Sequence, residues 1–583
     1  MMTRKLIPLF FIILALCASG FKTNRSPVTE KGERVYVHTD RDIYVAGENI
    51  FFKLYLVDYS THRLSEISSI AYLILRSRTS SVIAKIRFRA EGGTAYGTVL
   101  LPDTLSSGLY QIVAFTNWMR NAGEGSFFTK EIFVANRFDK DLTVLDSLSG
   151  STGKRNVSPS GTFKKNNSLE VIPDKTEYER REKINIIMKF PENASGTPAN
   201  ISVSVYEEVP GAESRSSVHD FLSAKQDNFV SRGFPASDKR DFLPEIKGEI
   251  IEGRVIDQDT SAGVANTCVF LSVRDSVVNL KYDYSDTDGV FRFLLNDYYD
   301  GKDLFFSIKD NPGDKKLKIE IDDKFELASN FKPGKYKANP LLKDYILKSQ
   351  DIVSIQKAYQ AVYTFEIKKQ LKPGNICPEI YYKPSYSVNP GDFVPLNDFI
   401  EISREILPPQ IRIRKHDDGY IAEMADEKKH IFMEEEPLIF LDGVLINDIN
   451  KIIHLGSDKI KRVEMVCTRY NYGEMVFPGI LAVFSKNGEI ENMQLSPGSL
   501  RMKPDAYQAY SGFTAPVYSK ESSASRPDFR QLLYWNPDVK ISKDNNQVPG
   551  FYASDHSGNY IIDVEGISSD GVPVSATAKI RVK

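Results

Sequence analysis

Cysteine is scarce in this chain, and the few cysteines present exclude a fold stabilised by several disulfides. The 583 residues contain four cysteines, one of which, Cys17, lies in an N-terminal apolar run. The others are Cys268, Cys377 and Cys467, and three cysteines can form one bonded pair at most. Cys268 and Cys467 lie in apolar runs, TCVFLSV and RVEMVC, which predict small buried hydrophobic side chains at both positions.

An excess of one charge sign is also missing. Lysine and arginine number 75 against 77 acidic residues, the formal net charge is −2 at pH 7, and the basic residues are spread along the chain. Domains that bind nucleic acid present a basic patch or stripe. The composition therefore argues against nucleic acid as a partner.

Long apolar runs are absent apart from one at the N-terminus. There a basic pair precedes LIPLFFIILAL, which is too short for a stable membrane anchor, and small residues follow. This layout predicts a signal peptide at 1–20, cleaved after Gly20, and a mature chain that begins at Phe21 without a transmembrane segment. Lipid anchoring at Cys17 is the alternative, although Leu16 is bulky where the lipoprotein motif requires a small residue. We predict export to the periplasm or the outer membrane.

Helical periodicity is rare, and short alternating or β-branched runs bounded by turn residues dominate. Examples are NIFFKLYLVD, GLYQIVAFTN, ANISVSVYEE, VFRFLLND and GNYIIDVEG. Helices are predicted at about 351–370, 397–405 and 447–461, and linkers rich in polar residues at 148–167 and 208–245. The pattern predicts a mainly β protein with several β-sandwiches.

An internal repeat gives the first specific feature. DRDIYVAGE at 40–48 recurs in spacing as DKTEYERRE at 174–182, with Asp, Tyr and Glu at the same places. An apolar run precedes and follows each copy, so the repeated unit is predicted to be strand, turn and strand.

Residues 28–137 resemble the macroglobulin-type β-sandwich, on HTDRDIYVAGE, LPDTLSSGLY and TNWMRN. TNWMRN in particular is similar to sequences of secreted Gram-negative envelope proteins. Macroglobulins that trap proteases use a reactive thioester in a Cys-Gly-Glu-Gln run, whereas Val269, Pro378 and Thr468 follow the three cysteines here. The resemblance therefore implies a macroglobulin/immunoglobulin-like sandwich without that chemistry.

Residues 246–335 resemble the regulatory-like β-sandwich that accompanies some carboxypeptidases, on EGRVIDQDTSAGVANTCVFLSV and SDTDGVFRFLL. The resemblance implies no catalytic residues in this domain. Asp286, Asp288 and Gly289 match only a fragment of a calcium loop, and a hairpin connection is the preferred interpretation.

Residues 376–490, after a predicted helical linker at 340–375, resemble the α+β plug domain of TonB-dependent receptors. The resemblance rests on EEPLIFLDGVLIND, KIIHLGSDKIKRVEMV and YNYGEMVFPGILAVFSKNG. Asp442-Gly443 is predicted to form the tight turn of a hairpin, so Asp442 is interpreted as a turn residue and not as a catalytic acid. The segment after 490 lacks the repeated alternation of a receptor's membrane barrel.

The second copy of the repeat is predicted to belong to a split sandwich. Residues 165–206 contain only three convincing strands, and 526–583 supply period-two runs that can complete two sheets. The alternative is that 526–583 forms an independent small sandwich.

Other chemistry-bearing residues have simpler interpretations. The acidic segment at 423–436, with His430, lacks zinc-type spacing and is interpreted as a solvated loop. His416 is interpreted as part of a turn after QIRIRK, whose two arginines share one strand face. Trp118 and Trp535 are interpreted as packing residues in preference to sugar-stacking platforms. No catalytic, cofactor-binding or metal-binding residues are predicted, and no cofactor.

These features predict an exported, non-enzymatic envelope protein that acts as a scaffold or binds protein partners. The first alternative is an accessory component of TonB-dependent uptake or signalling, with a TonB-dependent receptor in the outer membrane as partner. The second is a macroglobulin-like protein that interacts with proteases without a thioester.

Overall fold

The computed structural model describes most of the chain after its N-terminal segment. The described residues are 32–140, 142, 169–190, 198–210, 215–224, 241–296, 301–309, 316–331, 340–359, 366–368, 379–416, 419–433, 435–504, 507–508, 510–518, 527–542 and 546–583. The predicted signal peptide, Cys17, Cys377 and the linker at 148–167 lie outside these residues.

Strands dominate the described residues, and the predicted mainly β fold class is confirmed. The first half contains β1 Glu33–Thr39, β2 Ile43–Val45, β3 Asn49–Asp58, β4 Ile70–Ser77, β5 Val82–Arg89, β6 Thr94–Leu100, β7 Gly108–Phe115, β8 Phe128–Ala135, β9 Glu170–Pro173, β10 Glu177–Tyr178, β11 Lys183–Lys189, β12 Ala199–Glu207, β13 Glu249–Asp257, β14 Cys268–Val273, β15 Lys281–Tyr284, β16 Val290–Leu295, β17 Leu304–Ile308 and β18 Leu317–Ile321. The second half contains β19 Glu366–Lys368, β20 Tyr386–Val388, β21 Ile411–His416, β22 Gly419–Met424, β23 Leu438–Leu441, β24 Val444–Leu445, β25 Ile460–Val466, β26 Tyr470–Tyr472, β27 Met475–Phe477, β28 Ile480–Ser485, β29 Leu500–Met502, β30 Tyr510–Gly512, β31 Leu532–Ile541, β32 Gln547–Tyr552, β33 Gly558–Ser568 and β34 Pro573–Val582. The α-helices are α1 Val218–Ser223, α2 Pro340–Ala358 and α3 Phe399–Glu405.

The first sandwich, formed by β1 to β8, packs two sheets against each other. The sheet orders are β1-β3-β6 and β2-β8-β7-β4-β5, and β2 pairs with β8 in parallel. Its core contains Val35, Leu54, Leu73 and Phe115. The run IAYLILR in β4 is buried on both faces because another domain covers its outer side.

The split sandwich combines β9 to β12 with β31 to β34. Its sheet orders are β9-β11-β32 and β10-β34-β33-β12-β31, and β10 pairs with β34 in parallel. When β9–β12 and β31–β34 are matched in chain order to β1–β8, the strand orders of the two sheets are identical in both sandwiches. The two sandwiches therefore share one topology, and residues 208–531 are inserted between the fourth and fifth strands of the second.

The repeated sequence motif has the same geometry in both sandwiches. In the first, the Tyr44 hydroxyl donates to Asp40 (2.8 Å), and the Phe51 amide donates to the same carboxylate oxygen (2.9 Å). In the second, Tyr178 donates to Asp174 over 2.6 Å, and the Asn185 amide over 3.1 Å. The aspartate thus joins the turn to the following long strand in each copy.

The middle sandwich lies within the insertion. Its sheets have the orders β16-β13-β18 and β15-β14-β17-β29, and its core includes Val255, Phe291 and Phe306. Strand β29 comes from outside the predicted range 246–335, so that boundary is wrong for one strand. The predicted hairpin at Asp286–Gly289 is also wrong, because the strands on either side, β15 and β16, belong to different sheets. The Asp286 carboxylate instead accepts the Val290 amide (2.9 Å) in a turn between the sheets.

The α+β domain follows, with a sheet of order β20-β25-β28-β23-β24, the hairpin β21–β22 and helix α3. The helix predicted at 447–461 is wrong, because that segment contains only the short 3-10 helix Ile449–Lys451 before β25 begins. The Asp448 side chain caps this turn by accepting the Asn450 amide (2.9 Å). The helix predicted at 351–370 is displaced, since α2 ends at Ala358 and Glu366–Lys368 is a strand.

Helix α2 packs its apolar side chains on the first sandwich, for a reason visible in the aligned strands. Leu342, Tyr345 and Ile346 of α2 share a cluster with the neighbouring residues Ile43, Leu109 and Phe133 of β2, β7 and β8. The equivalent positions of the split sandwich are Glu177, Asn559 and Arg581. Only the first sandwich therefore offers an apolar face to the helix.

The linker predicted at 208–245 also contains ordered structure. Helix α1 begins with a capping box between Ser217 and Asp220, and its Val218 and Leu222 are buried in the cluster of the first sandwich. At the other end of the segment, Glu245 is fully buried.

Candidate functional site

A serine, a histidine and an aspartate meet between the first and split sandwiches. His38 Nδ1 lies 2.7 Å from Ser202 Oγ, and His38 Nε2 lies 3.7 Å from Asp563 Oδ2. The same residue types form the nucleophilic triad of serine hydrolases. Their side chains are at most 3% exposed, however, and the Tyr55 hydroxyl also contacts Ser202 Oγ (2.9 Å). A substrate therefore has no access to this serine, and the cluster holds the two sandwiches together.

Burial also suppresses the charge of this histidine. It lowers the pKa of His38 to about 4, although the Asp563 carboxylate opposes that shift. His38 is thus neutral near pH 7. No local sequence pattern predicts the cluster, because its three residues come from β1, β12 and β33.

Arg215 is one of two cations that pair with Asp42 at this interface. Its guanidinium lies 3.0 Å from Asp42 and 3.3 Å from Asp563, and it donates to the Thr39 carbonyl over 2.6 Å. Burial alone raises the pKa of Asp42, but Arg215 and Lys130 outweigh burial and lower it below its usual value. The interface therefore holds an ionised carboxylate that is matched by two cations.

A second buried polar cluster joins the first sandwich to the middle sandwich. The Glu245 carboxylate accepts from the Tyr72 hydroxyl (2.9 Å) and from Lys324 (2.6 Å). Beside it, Arg87 pairs with Glu249. Burial raises the pKa of Glu245, although Lys324 opposes the shift. The outer face of β4 and β5 thus packs against the middle sandwich and the residues that flank it.

A third cluster lies where the insertion leaves the split sandwich. The Glu207 carboxylate lies 3.0 Å from His556 Nε2 and 3.4 Å from Lys348 of α2, and it accepts from Gln531 (2.6 Å). Burial raises the pKa of Glu207, but His556 and Gln531 reverse that effect and lower it below its usual value. The Glu207 amide also donates to the Gln531 carbonyl over 2.8 Å. The two ends of the insertion therefore meet at one point.

A strap, residues 500–504, 507–508 and 510–518, crosses several domains on its way back to the split sandwich. It contributes β29 to the middle sandwich, and Phe513 packs edge-on against Phe51, with ring centroids 5.5 Å apart. The Gln508 side chain donates to the Thr98 carbonyl (2.6 Å) and accepts the Thr98 amide (3.2 Å). The Gln508 side-chain amide thus makes the two hydrogen bonds that a neighbouring strand would make at the edge of β6.

Asp442 is a turn residue, as predicted, and it also contacts the middle sandwich. Asp442 and Gly443 have φ of 52° and 85°, as a tight hairpin turn between β23 and β24 requires. The Asp442 carboxylate also accepts the Ser485 amide (2.7 Å), and its carbonyl accepts the Asp275 amide of the middle sandwich (3.1 Å). This turn therefore fixes the α+β domain to its neighbour.

The remaining sequence candidates have structural roles. Arg412 and Arg414 both contact Glu423 across the β21–β22 hairpin, as their shared face predicts. Trp118 and Trp535 are 5% and 2% exposed, so neither offers a ring to a sugar. Burial raises the pKa of the Cys467 thiol to about 12. Asp417, Asp418 and Glu434 lie outside the described residues, within which no group of acidic, histidine or cysteine side chains is arranged to hold a metal ion.

One segment of the α+β domain exposes large apolar side chains. Tyr382, Phe393 and Val394 are 101%, 52% and 74% exposed. They flank β20, which lies at one end of its sheet, whereas β24 at the other end faces the middle sandwich through the Leu445 amide and Ser272 (3.2 Å). We call residues 382–394 the apolar segment. The sequence does not predict this surface, because polar and turn residues separate Tyr382 from Phe393 and Val394.

Comparisons with known proteins give only distant similarity. No family model matches the chain. A trypsin-activated α2-macroglobulin from Escherichia coli is 9% identical with a TM-score of 0.23, and the match covers 95% of this chain and 41% of that one. A Salmonella α2-macroglobulin that was reacted with methylamine is 10% identical with a TM-score of 0.23, and the match covers 94% and 39%.

A β-glucosidase from Listeria innocua is 12% identical with a TM-score of 0.14, over 18% of this chain and 16% of that one. The chain spans about two fifths of the length of the macroglobulins that it matches. TM-scores this low assign neither an overall architecture nor a function to the chain. In the described part of the chain, no helix is both long and apolar enough to cross a membrane.

Proposed function

We propose that this chain is an exported, non-enzymatic envelope protein that holds a partner-binding α+β domain in a fixed position. The observation that carries the proposal is the placement of the buried charged groups. The clusters around Asp563, Glu245 and Glu207 each join separate domains or the root of the insertion. Buried charges are satisfied in few arrangements, so such clusters favour one relative position of the domains.

The apolar segment is the surface that we assign to the partner. Tyr382, Phe393 and Val394 lie within 13 residues on the two sides of β20, and exposed apolar groups that form one patch are typical of protein interaction sites. A scaffold that binds through this segment needs no catalytic group. This supports the scaffold function that the sequence predicts.

A second candidate is an accessory component of TonB-dependent uptake or signalling. It rests on the resemblance of 376–490 to a receptor plug, whose hairpin has a central Asp-Gly turn. The positive φ angles of Asp442 and Gly443, and the order of β23, β24, β25 and β28, agree with that resemblance. The partner would then be a TonB-dependent receptor of the outer membrane.

Cross-linking of the tagged full-length protein in intact cells, followed by mass spectrometry, tests both candidates. We expect the variant F393S/V394S to lose a partner that the unchanged protein captures. Val517→Ser is the matched control, because Val517 is 73% exposed and lies outside the α+β domain. Capture of a TonB-dependent receptor would favour the accessory role, and capture of another envelope protein the scaffold role. Equal capture by F393S/V394S and by the unchanged protein would contradict the apolar segment as the site.

A further inference from the structure

Strand β18 ends one sheet of the middle sandwich and has an open edge. It pairs with β13, where the Gln258 amide donates to the Lys316 carbonyl (2.8 Å) and the Asp322 amide donates to the Glu252 carbonyl (2.9 Å). Hydrogen-bonding directions alternate along an antiparallel strand. The backbone groups of Leu317, Ile319 and Ile321 therefore point to the open side.

Little covers these backbone groups in the described part of the chain. The Gln258 side chain donates to the Leu317 carbonyl over 3.3 Å, and no described strand pairs with Ile319 or Ile321 on the open side. A groove of about 620 Å³ runs along the edge between β18 and residues 498–500. An additional strand therefore has both hydrogen-bonding partners and space.

The charged side chains on β18 indicate which strand can pair with this edge. Lys318 and Glu320 flank Ile319, form an ion pair with each other (2.9 Å), and have side chains that are 56% and 51% exposed. When two copies of β18 run antiparallel with Ile319 opposite Ile319, Lys318 of each copy lies opposite Glu320 of the other. Opposite charges across a strand pair stabilise it, whereas like charges destabilise it.

Charged residues on an edge strand often serve to prevent pairing between sheet edges. Protection by repulsion needs like charges to face each other when two copies of the edge meet. The order Lys-Ile-Glu does the reverse, because rotation by half a turn brings unlike charges together on both sides of the axis.

We propose that two copies of this chain associate through antiparallel pairing of β18, centred on Ile319. The contact uses the same residues on both copies, as a two-fold interface requires. It joins the sheets β16-β13-β18 of the two copies into one continuous sheet. The proposal does not depend on the partner-binding function of the α+β domain.

Analytical ultracentrifugation of the full mature chain over a range of concentrations tests the proposal. We expect the unchanged protein to form dimers in a concentration-dependent manner. Lys318→Glu and Glu320→Lys each create two like-charge pairs, so each variant alone is expected to dimerise about ten- to a hundredfold more weakly. Mixing the two variants is expected to restore dimers, because every facing pair is then unlike. The double variant K318E/E320K should also dimerise.

Lys189→Glu is the matched control for Lys318→Glu, because Lys189 is an exposed strand residue of the split sandwich and both changes alter the net charge equally. Circular dichroism checks that every variant is folded. A protein that stays monomeric at all concentrations would overturn the proposal. So would a dimer that Lys318→Glu does not weaken, or a photo-cross-linker at position 318 that captures a different protein instead of a second copy.

Discussion

At the residue scale, three charged side chains with a perturbed pKa lie at contacts between domains. His38 is held neutral, whereas Asp42 and Glu207 are held ionised by neighbouring cations and hydrogen bonds. Perturbed pKa values also occur at catalytic sites, so the location of a perturbed group decides whether a catalytic or a structural role is inferred. Here these three groups lie where separate domains meet, which indicates a role in assembly.

His38 is expected to make the protein less stable at acidic pH. Its pKa is about 4 in the folded state and about 6.5 in an unfolded chain. The unfolded chain therefore binds a proton first, and the contribution of His38 to the free energy of unfolding should fall by roughly 3 kcal/mol as the pH decreases from about 6.5 to about 4. His38→Gln, which stays neutral and can still bond to Ser202, should lose most of this dependence.

Urea unfolding of both proteins across this pH range measures the effect. The buried carboxyl of Asp40, whose pKa burial raises to about 6, changes stability in the opposite direction but is present in both proteins. An identical pH dependence for the two proteins would show that His38 does not titrate as inferred.

At the element scale, the repeated strand, turn and strand unit is used twice in different surroundings. In the first sandwich Asp40 is fully buried, and helix α2 covers the neighbouring strands. In the split sandwich Asp174 is exposed, and the equivalent strands carry Glu177 and Arg581. The same hydrogen bonds should therefore differ in their contribution to stability.

Tyr44→Phe is expected to destabilise the protein more than Tyr178→Phe does. Removal of the Tyr44 hydroxyl leaves the buried Asp40 carboxylate oxygen with the Phe51 amide alone, and water cannot replace the lost donor there, which costs about 1–3 kcal/mol. Water can replace the Tyr178 hydroxyl at the exposed Asp174, at a cost below about 1 kcal/mol. Thermal and urea unfolding of the two single variants compare these costs directly. The reverse order would mean that burial of the aspartate does not determine the effect.

At the scale of the whole molecule, an insertion of more than half the chain separates the two parts of one sandwich. Closing a long loop costs entropy that grows only slowly with its length. Here the folded insertion also returns its own ends to one point, because Glu207 and Gln531 are hydrogen-bonded neighbours. The split sandwich can therefore fold around the insertion without a long disordered loop.

The two parts of the split sandwich are expected to stay together after the chain is cut. Protease recognition sequences placed within 225–240 and within 519–526 would release 527–583 from the rest of the chain. Because β12 lies between β31 and β33, we expect this fragment to co-elute with residues 169–210 until denaturant is added. Size-exclusion chromatography with mass spectrometry detects the complex, and separate elution under native conditions would favour an independent C-terminal domain.

The sequence by itself determined where most strands lie and how the repeated turns are built. Period-two runs such as those of β12 and β33, and the spacing of Asp40 and Tyr44, depend on residues close together in the chain. The tertiary structure alone decided which strands pair, because Ser202 and Glu565 meet across 363 residues of chain. It also decided which polar residues are buried: Ser202, His38 and Asp563 have no shared local pattern, and only the packing of two sandwiches removes them from water. The apolar segment and the open edge of β18 became visible in the same way, because exposure depends on which surfaces the other domains leave uncovered.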